Sequence, residues 1–79
     1  SKIIKIWPNP VGDVLYFQIQ ENISYGNVEI RDLKGNLIYS LLFGKELKFK
    51  LDLGDLTPGM YLLKVVRENN LLQSKFIKK

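Results

Sequence analysis

Apolar side chains recur along this chain mostly at every second position, the spacing of a strand with one buried face, and Gly, Pro, Asn and Asp interrupt them every several residues. Seven strands are predicted on that basis. Ile3 to Trp7 is the first, and it stops at Pro8-Asn9-Pro10, where two prolines remove backbone donors and sheet pairing cannot continue. From Asp13 to Gln20, Leu15, Phe17 and Ile19 share one face while Tyr16, Gln18 and Gln20 share the other. Val28 and Ile30 alternate in the same way with Glu29 and Arg31. Asn36 to Phe43 follows, then Gly44, then Leu47 to Leu53, in which Leu47, Phe49, Leu51 and Leu53 are expected inward and Lys48, Lys50 and Asp52 outward. Met60 to Arg67 is the sixth strand, with Tyr61, Leu63 and Val65 inward, and Leu71 to Ile77 is the last. No helix is predicted.

The connections carry specific turn chemistry. Asp32-Leu33-Lys34-Gly35-Asn36 has Asp at the first and Gly at the fourth position of a type I turn, which suits a hairpin closed by a glycine bulge. Leu56-Thr57-Pro58-Gly59 carries the adjacent Pro and Gly that the central positions of a type II turn favour, and Glu68-Asn69-Asn70 is read as a tight turn because Asn tolerates left-handed φ. Seven short antiparallel strands hide their apolar faces best in two stacked sheets. The expected fold is all-β, an Ig-like antiparallel β-sandwich of about seven strands, with residues 1–79 as one domain. No linker, internal repeat or low-complexity tract divides it.

Composition narrows the chemistry. A hydrophobic content of 46% with 25% charged residues excludes disorder from low hydrophobicity. A chain of 79 residues closes one core with stability on the order of 5 kcal/mol. Cysteine and histidine are absent, so disulfides, thiolate zinc sites, nucleophilic Cys and every His-based acid/base scheme are excluded. The net charge of +4 is compatible with weak contact to anionic lipid, lipopolysaccharide or nucleic acid, but solubility alone accounts for it. The longest apolar runs, such as Tyr39 to Phe43, are too short to span a bilayer, and the N-terminus lacks a signal-peptide core, so any secretion signal is expected on a larger precursor.

The carboxylates Asp13, Glu21, Glu29, Asp32, Glu46, Asp52, Asp55 and Glu68 fall in turns or on outer faces and read as solvated surface acids, not a catalytic dyad. Asp52 and Asp55 could grip calcium with loop carbonyls, but their spacing matches no EF-hand loop. Gly54 to Gly59 lacks the Lys-Ser/Thr ending of a phosphate cradle and reads as a turn. Lys45, Lys48, Lys50, Lys64, Lys75, Lys78 and Lys79 are read as charges that keep strand edges from pairing, in preference to a nucleic-acid surface. Trp7 is read as the cap of a small core in preference to a sugar or base platform. Tyr61, at the start of the sixth strand after Gly59-Met60, is placed to turn its hydroxyl back onto the preceding connection, the tyrosine-corner device of Ig-type sandwiches.

Taken in order, four blocks resemble the type A C-terminal sorting domain of proteins exported by the type IX secretion system of Bacteroidota. They are Trp7-Pro8-Asn9-Pro10 followed by Asp13-Val14-Leu15, then Asp32-Leu33-Lys34-Gly35, then Leu53 through Leu56 to Gly59-Met60-Tyr61-Leu62-Leu63-Lys64, and finally Lys75-Phe76-Ile77-Lys78. The resemblance covers essentially the whole chain, which ends just after a basic-hydrophobic strand, as such domains do. Trp7 stands where an aliphatic residue or Tyr is commoner, and Met60 where Ile or Val is commoner. Pro8, Asn9, Pro10, Asp32, Gly35, Gly59 and Tyr61 are the residues that define motif and fold.

The resemblance implies a fate as well as a fold. A precursor enters the periplasm by an ordinary signal peptide, and this domain addresses its N-terminal cargo to the outer-membrane translocon. A sortase similar to gingipains, a cysteine protease, then cuts N-terminal to the domain and in many members joins the cargo to anionic lipopolysaccharide, at the cell surface or outside. The partners implied are translocon, outer-membrane shuttle and sortase proteins and the cargo; no nucleic acid, cofactor, metal or catalytic residue is implied, and the chain is expected not to be an enzyme. Lys75, Phe76, Ile77, Lys78 and Lys79 are expected to meet the translocon and sortase, with the last strand offering edge backbone groups and its lysines orienting the encounter. Two rival readings differ in class: an Ig- or fibronectin-like accessory module that binds a glycan or protein, and, less favoured, a hydrolase. Dimerisation through an exposed edge strand is a further reading for the isolated domain.

Overall fold

The computed structural model describes residues 4–19, 26–43, 48–67 and 70–79. Seven strands run β1 Ile4–Trp7, β2 Val14–Ile19, β3 Gly26–Asp32, β4 Leu37–Phe43, β5 Lys48–Asp52, β6 Gly59–Arg67 and β7 Asn70–Lys78. No helix occurs among the described residues. The strands form two antiparallel sheets, β1-β2-β5 and β4-β3-β6-β7, stacked as a sandwich of the kind the alternation predicts. The fourth strand joins the sheet of β3, β6 and β7, so the first sheet is left with three members.

In β2, β3, β6 and β7 the alternation maps onto burial almost residue for residue, whereas β4 is exposed over most of its length. Leu15, Phe17, Ile19 and Leu51 of the first sheet face Val28, Ile30, Leu63, Val65 and Phe76 of the second, and all are buried. Each such side chain contributes roughly 1.5–3 kcal/mol relative to exposure. Aromatic rings join the layers: Phe17 stacks on Phe49 at 4.6 Å within the first sheet, and Phe49 meets Phe43 of the second edge-on at 5.3 Å. Leu53, just past β5, is buried as expected. Leu47, Gly44, Glu68 and Asn69, which figure in the expected strand and turns, lie outside the described residues.

The Asp32–Asn36 hairpin forms as its chemistry predicts. The Gly35 N–H donates to the Asp32 carbonyl at 3.1 Å, Gly35 sits at φ +90°, and the β3–β4 register shifts after Ile30. The second turn differs from expectation. Its hydrogen bond comes earlier, from the Leu56 N–H to the Leu53 carbonyl at 3.0 Å, and Gly59 is already the first residue of β6 at φ +156°, not the φ near +80° of a type II turn. Pairing of Gly59 with Lys78 recruits the glycine into the sheet.

Trp7 also differs. It lies on the outer face of the first sheet, 37% exposed, stacked on Tyr16 at 6.0 Å with the Lys5 ammonium 5.7 Å from its ring. The reason is register: Ile4 and Ile6 supply the inward side chains of β1, and period two then sends Trp7 outward with Lys5.

Candidate recognition surface

Blocks scattered through the sequence meet at one end of the sandwich. Asp32, at the end of β3, pairs with Tyr61, which pairs with Phe76; Gly59 pairs with Lys78 and Met60 with Ile77. The segment after the two prolines closes over the same end. Val11 leaves the first sheet and bridges in parallel to Lys78 of the second, its N–H donating to the Ile77 carbonyl at 2.6 Å and its carbonyl accepting from the Lys79 N–H at 2.9 Å. The Asn9 Oδ1 accepts from the Ile77 N–H at 3.4 Å. On the other side of this segment the Leu53 N–H donates to the Asp13 carbonyl at 2.6 Å. Pro8 and Pro10, each preceded by a cis peptide bond, lie in the β1–β2 connection, which reaches across to β7 and returns to the first sheet.

Tyr61 carries the corner. Its ring stacks on Phe76 at 5.8 Å, and its hydroxyl donates to the Thr57 carbonyl at 2.6 Å with the Thr57 Oγ1 at 3.1 Å. The connection into β6 is thereby tied to the strand that follows it. Opposite, Asp32 organises the hairpin: Oδ1 accepts from the N–H groups of Lys34 and Asn36, both at 2.9 Å, and Oδ2 from the Asn36 side-chain amide at 3.0 Å. The Asn36 side-chain and backbone bonds, with help from Lys34, hold the Asp32 carboxyl below its ordinary value of 3.8. Arg31 donates to the Gly35 carbonyl at 2.7 Å and pairs with Glu29 at 2.9 Å.

The expected recognition residues do not share one face. Phe76 is in the core, and Lys78 is only 5% exposed, its stem inward and its ammonium donating to the Lys79 carbonyl at 2.9 Å. Lys75, Ile77 and Lys79 point outward. β7 is an edge strand, as expected, but the end of that edge is occupied by residues 9–11. Because ladder groups alternate, the residues whose backbone points outward with Ile77 are Lys75, Gln73 and Leu71, so the open stretch of edge runs from Leu71 to Lys75, ahead of the covered Ile77–Lys79 end.

The lysines also divide. Lys48 and Lys50 lie on edge strand β5 and Lys75 on β7, whereas Lys64 sits on central strand β6 and Lys78 is buried, so neither of these two protects an edge. Lys45 lies outside the described residues. No group of three or more Asp and Glu that could hold a metal ion occurs among the described residues. Asp52 caps the Gly54 N–H at 3.0 Å and, with Asp55, borders a groove of about 340 Å³.

The family model of the secretion system C-terminal sorting domain matches residues 5–79, and the chain belongs to that family of type IX sorting signals. No curated protein matches the chain. A sorting signal of this family implies a cargo precursor, the type IX machinery, and export to the cell surface or extracellular space. The family is one of sorting signals and is not known as an enzyme family.

Proposed function

We propose that this domain is the address label of a type IX cargo: it passes through the periplasm, is read by the translocon and its outer-membrane shuttle and sortase proteins, and is cut from its cargo by the sortase. The observation that carries this reading is the convergence of the matched blocks on the end of β7. There Phe76 and Lys78 anchor the strand from inside while Lys75, Ile77 and Lys79 are outward. Receptor contact through those three side chains combines an apolar anchor with charges that steer the encounter. The inner pair has a different task, keeping the strand in place.

The test is a reporter fused ahead of the domain behind a signal peptide, followed in a type IX-competent strain and in a translocon-deficient one. The expected result is translocon-dependent appearance of the reporter at the surface or in the medium. Replacing Lys75, Ile77 and Lys79 together by Glu, Ser and Glu should stop export while the purified domain keeps its Tm within a few degrees. Normal export of that folded triple variant would overturn the assignment of these residues.

A second reading, an accessory binding module, is favoured by the outer face of the first sheet. Trp7, Tyr16 and Lys50 form one cross-strand row there, and Lys5, Gln18 and Lys48 the next. Periplasmic retention of a folded, intact fusion would give that reading the lead.

A further inference from the structure

Four strands lie at sheet edges, β1 and β5 in the first sheet and β4 and β7 in the second, and three of them carry features that discourage pairing with another chain. β1 is four residues long, contains Lys5 and runs into Pro8. β5 contains Lys48, Lys50 and Asp52. β7 contains Lys75 and has its end covered by residues 9–11. Among the described residues nothing covers the edge of β4, and Leu37-Ile38-Tyr39-Ser40-Leu41-Leu42-Phe43 holds no charge, proline or glycine. Its exposed side chains are large and apolar, Leu37 at 51%, Ile38 at 43%, Tyr39 at 38% and Leu42 at 81%.

We infer that β4 is a self-association edge, on which a second copy of this chain adds its own β4 antiparallel across a two-fold axis. An axis through Ser40 sets Ser40 against Ser40 and Tyr39 against Leu41 in both directions, so no charges oppose and aromatic and aliphatic side chains pair on one face. Tyr39 and Leu41 share that face because they stand opposite the buried Ile30 and Val28. Any other edge of this chain would bring lysines to the seam. The contact is isologous and uses the one β4 edge of each copy, so assembly closes at two.

Its size sets its strength. The four exposed side chains present on the order of 400 Å² per copy, so pairing covers on the order of 800 Å² in all, below the range of stable specific complexes and within that of weak, reversible ones. The dimer is therefore one of high local concentration, with a dissociation constant on the order of 10 μM to 1 mM.

Sedimentation equilibrium of the 79-residue chain tests this, with the monomer mass at 9.2 kDa. The weight-average mass should rise toward twice that value between about 10 μM and 1 mM. Ser40→Lys, at an exposed position, sets like charges together on the axis and should weaken association at least tenfold, as should Ser40→Glu; mixing the two variants should restore it. Gln73→Lys on the outer face of β7 should leave it unchanged. A chain that stays monomeric throughout overturns the inference, and so does association that Ser40→Lys leaves intact or that Gln73→Lys removes.

Discussion

Tyr61→Phe isolates the corner from the core, because it removes one oxygen and keeps the ring on Phe76. The oxygen donates to the Thr57 carbonyl at 2.6 Å and lies 3.1 Å from the Thr57 Oγ1. A hydrogen bond contributes about 0.5–1.5 kcal/mol net, and stranding a buried partner costs more. Thr57 is exposed, so water can reach its carbonyl in the variant, and the loss should lie near 1–1.5 kcal/mol. For a domain of this size that is a fall in Tm of roughly 4–10 °C, or about 1 M in the urea midpoint with the slope unchanged. Trp7, the one tryptophan, lies on the other sheet from Tyr61, so its fluorescence reports whether loss of the corner unfolds the whole sandwich or frays one end. Coincidence with the far-UV circular dichroism transition is expected. Thr57→Val, which removes only the hydroxyl contact, should cost less than about 0.5 kcal/mol. A Tyr61→Phe shift below about 0.3 kcal/mol, or one matched by Thr57→Val, would refute the view that the tyrosine fastens the connection through the carbonyl.

Two glycines should fail for different reasons. A Cβ on Gly26 would lie 2.9 Å from the Phe43 ring and 2.9 Å from the Val66 carbonyl oxygen, so Gly26→Ala should cost about 1–3 kcal/mol by overpacking in thermal or urea unfolding. At Gly35 a Cβ would meet nothing within 4 Å, and Gly35→Ala should cost only the backbone penalty at φ +90°, about 1–2 kcal/mol. Asp32 links folding to acid. Its carboxyl is held below 3.8 in the fold, so its stabilisation is complete above 3.8 and is lost as pH falls through the lower folded value. Asp32→Asn should flatten the acid limb of a Tm-against-pH profile from pH 6 to pH 2, and an unchanged limb would show that the carboxylate bonds do not matter for folding.

How much of this could be read from the sequence depended on the range of the interaction. Period two identified all seven strands and assigned Leu15, Phe17, Leu51, Leu63 and Val65 to the interior, because whether a strand residue faces in or out is settled by its immediate neighbours. Turn chemistry located the Asp32–Asn36 hairpin, since Gly at φ > 0 and Asp bonding to nearby N–H groups are local devices. The order of blocks identified the family. Trp7 went astray because aromatic bulk suggested the core while register sent it outward. The Pro58-Gly59 turn went astray because pairing with Lys78 drew Gly59 into β6.

Which strands pair, and what each strand end touches, depends on contacts between segments far apart in the chain. Nothing near Val11 in the sequence shows that it crosses to the second sheet and closes on Ile77 and Lys79, sixty-odd residues away. The near-complete burial of Lys78 follows from that closure, whereas the alternation of inward Phe76 and Lys78 with outward Lys75, Ile77 and Lys79 is the period two of β7 itself. Gly26 gave no local signal either, because the close approach that excludes a side chain there comes from Phe43 and Val66. Strand existence and facing are properties of a few consecutive residues; sheet order, edge coverage and close approach come from distant segments brought together, which a local pattern cannot encode.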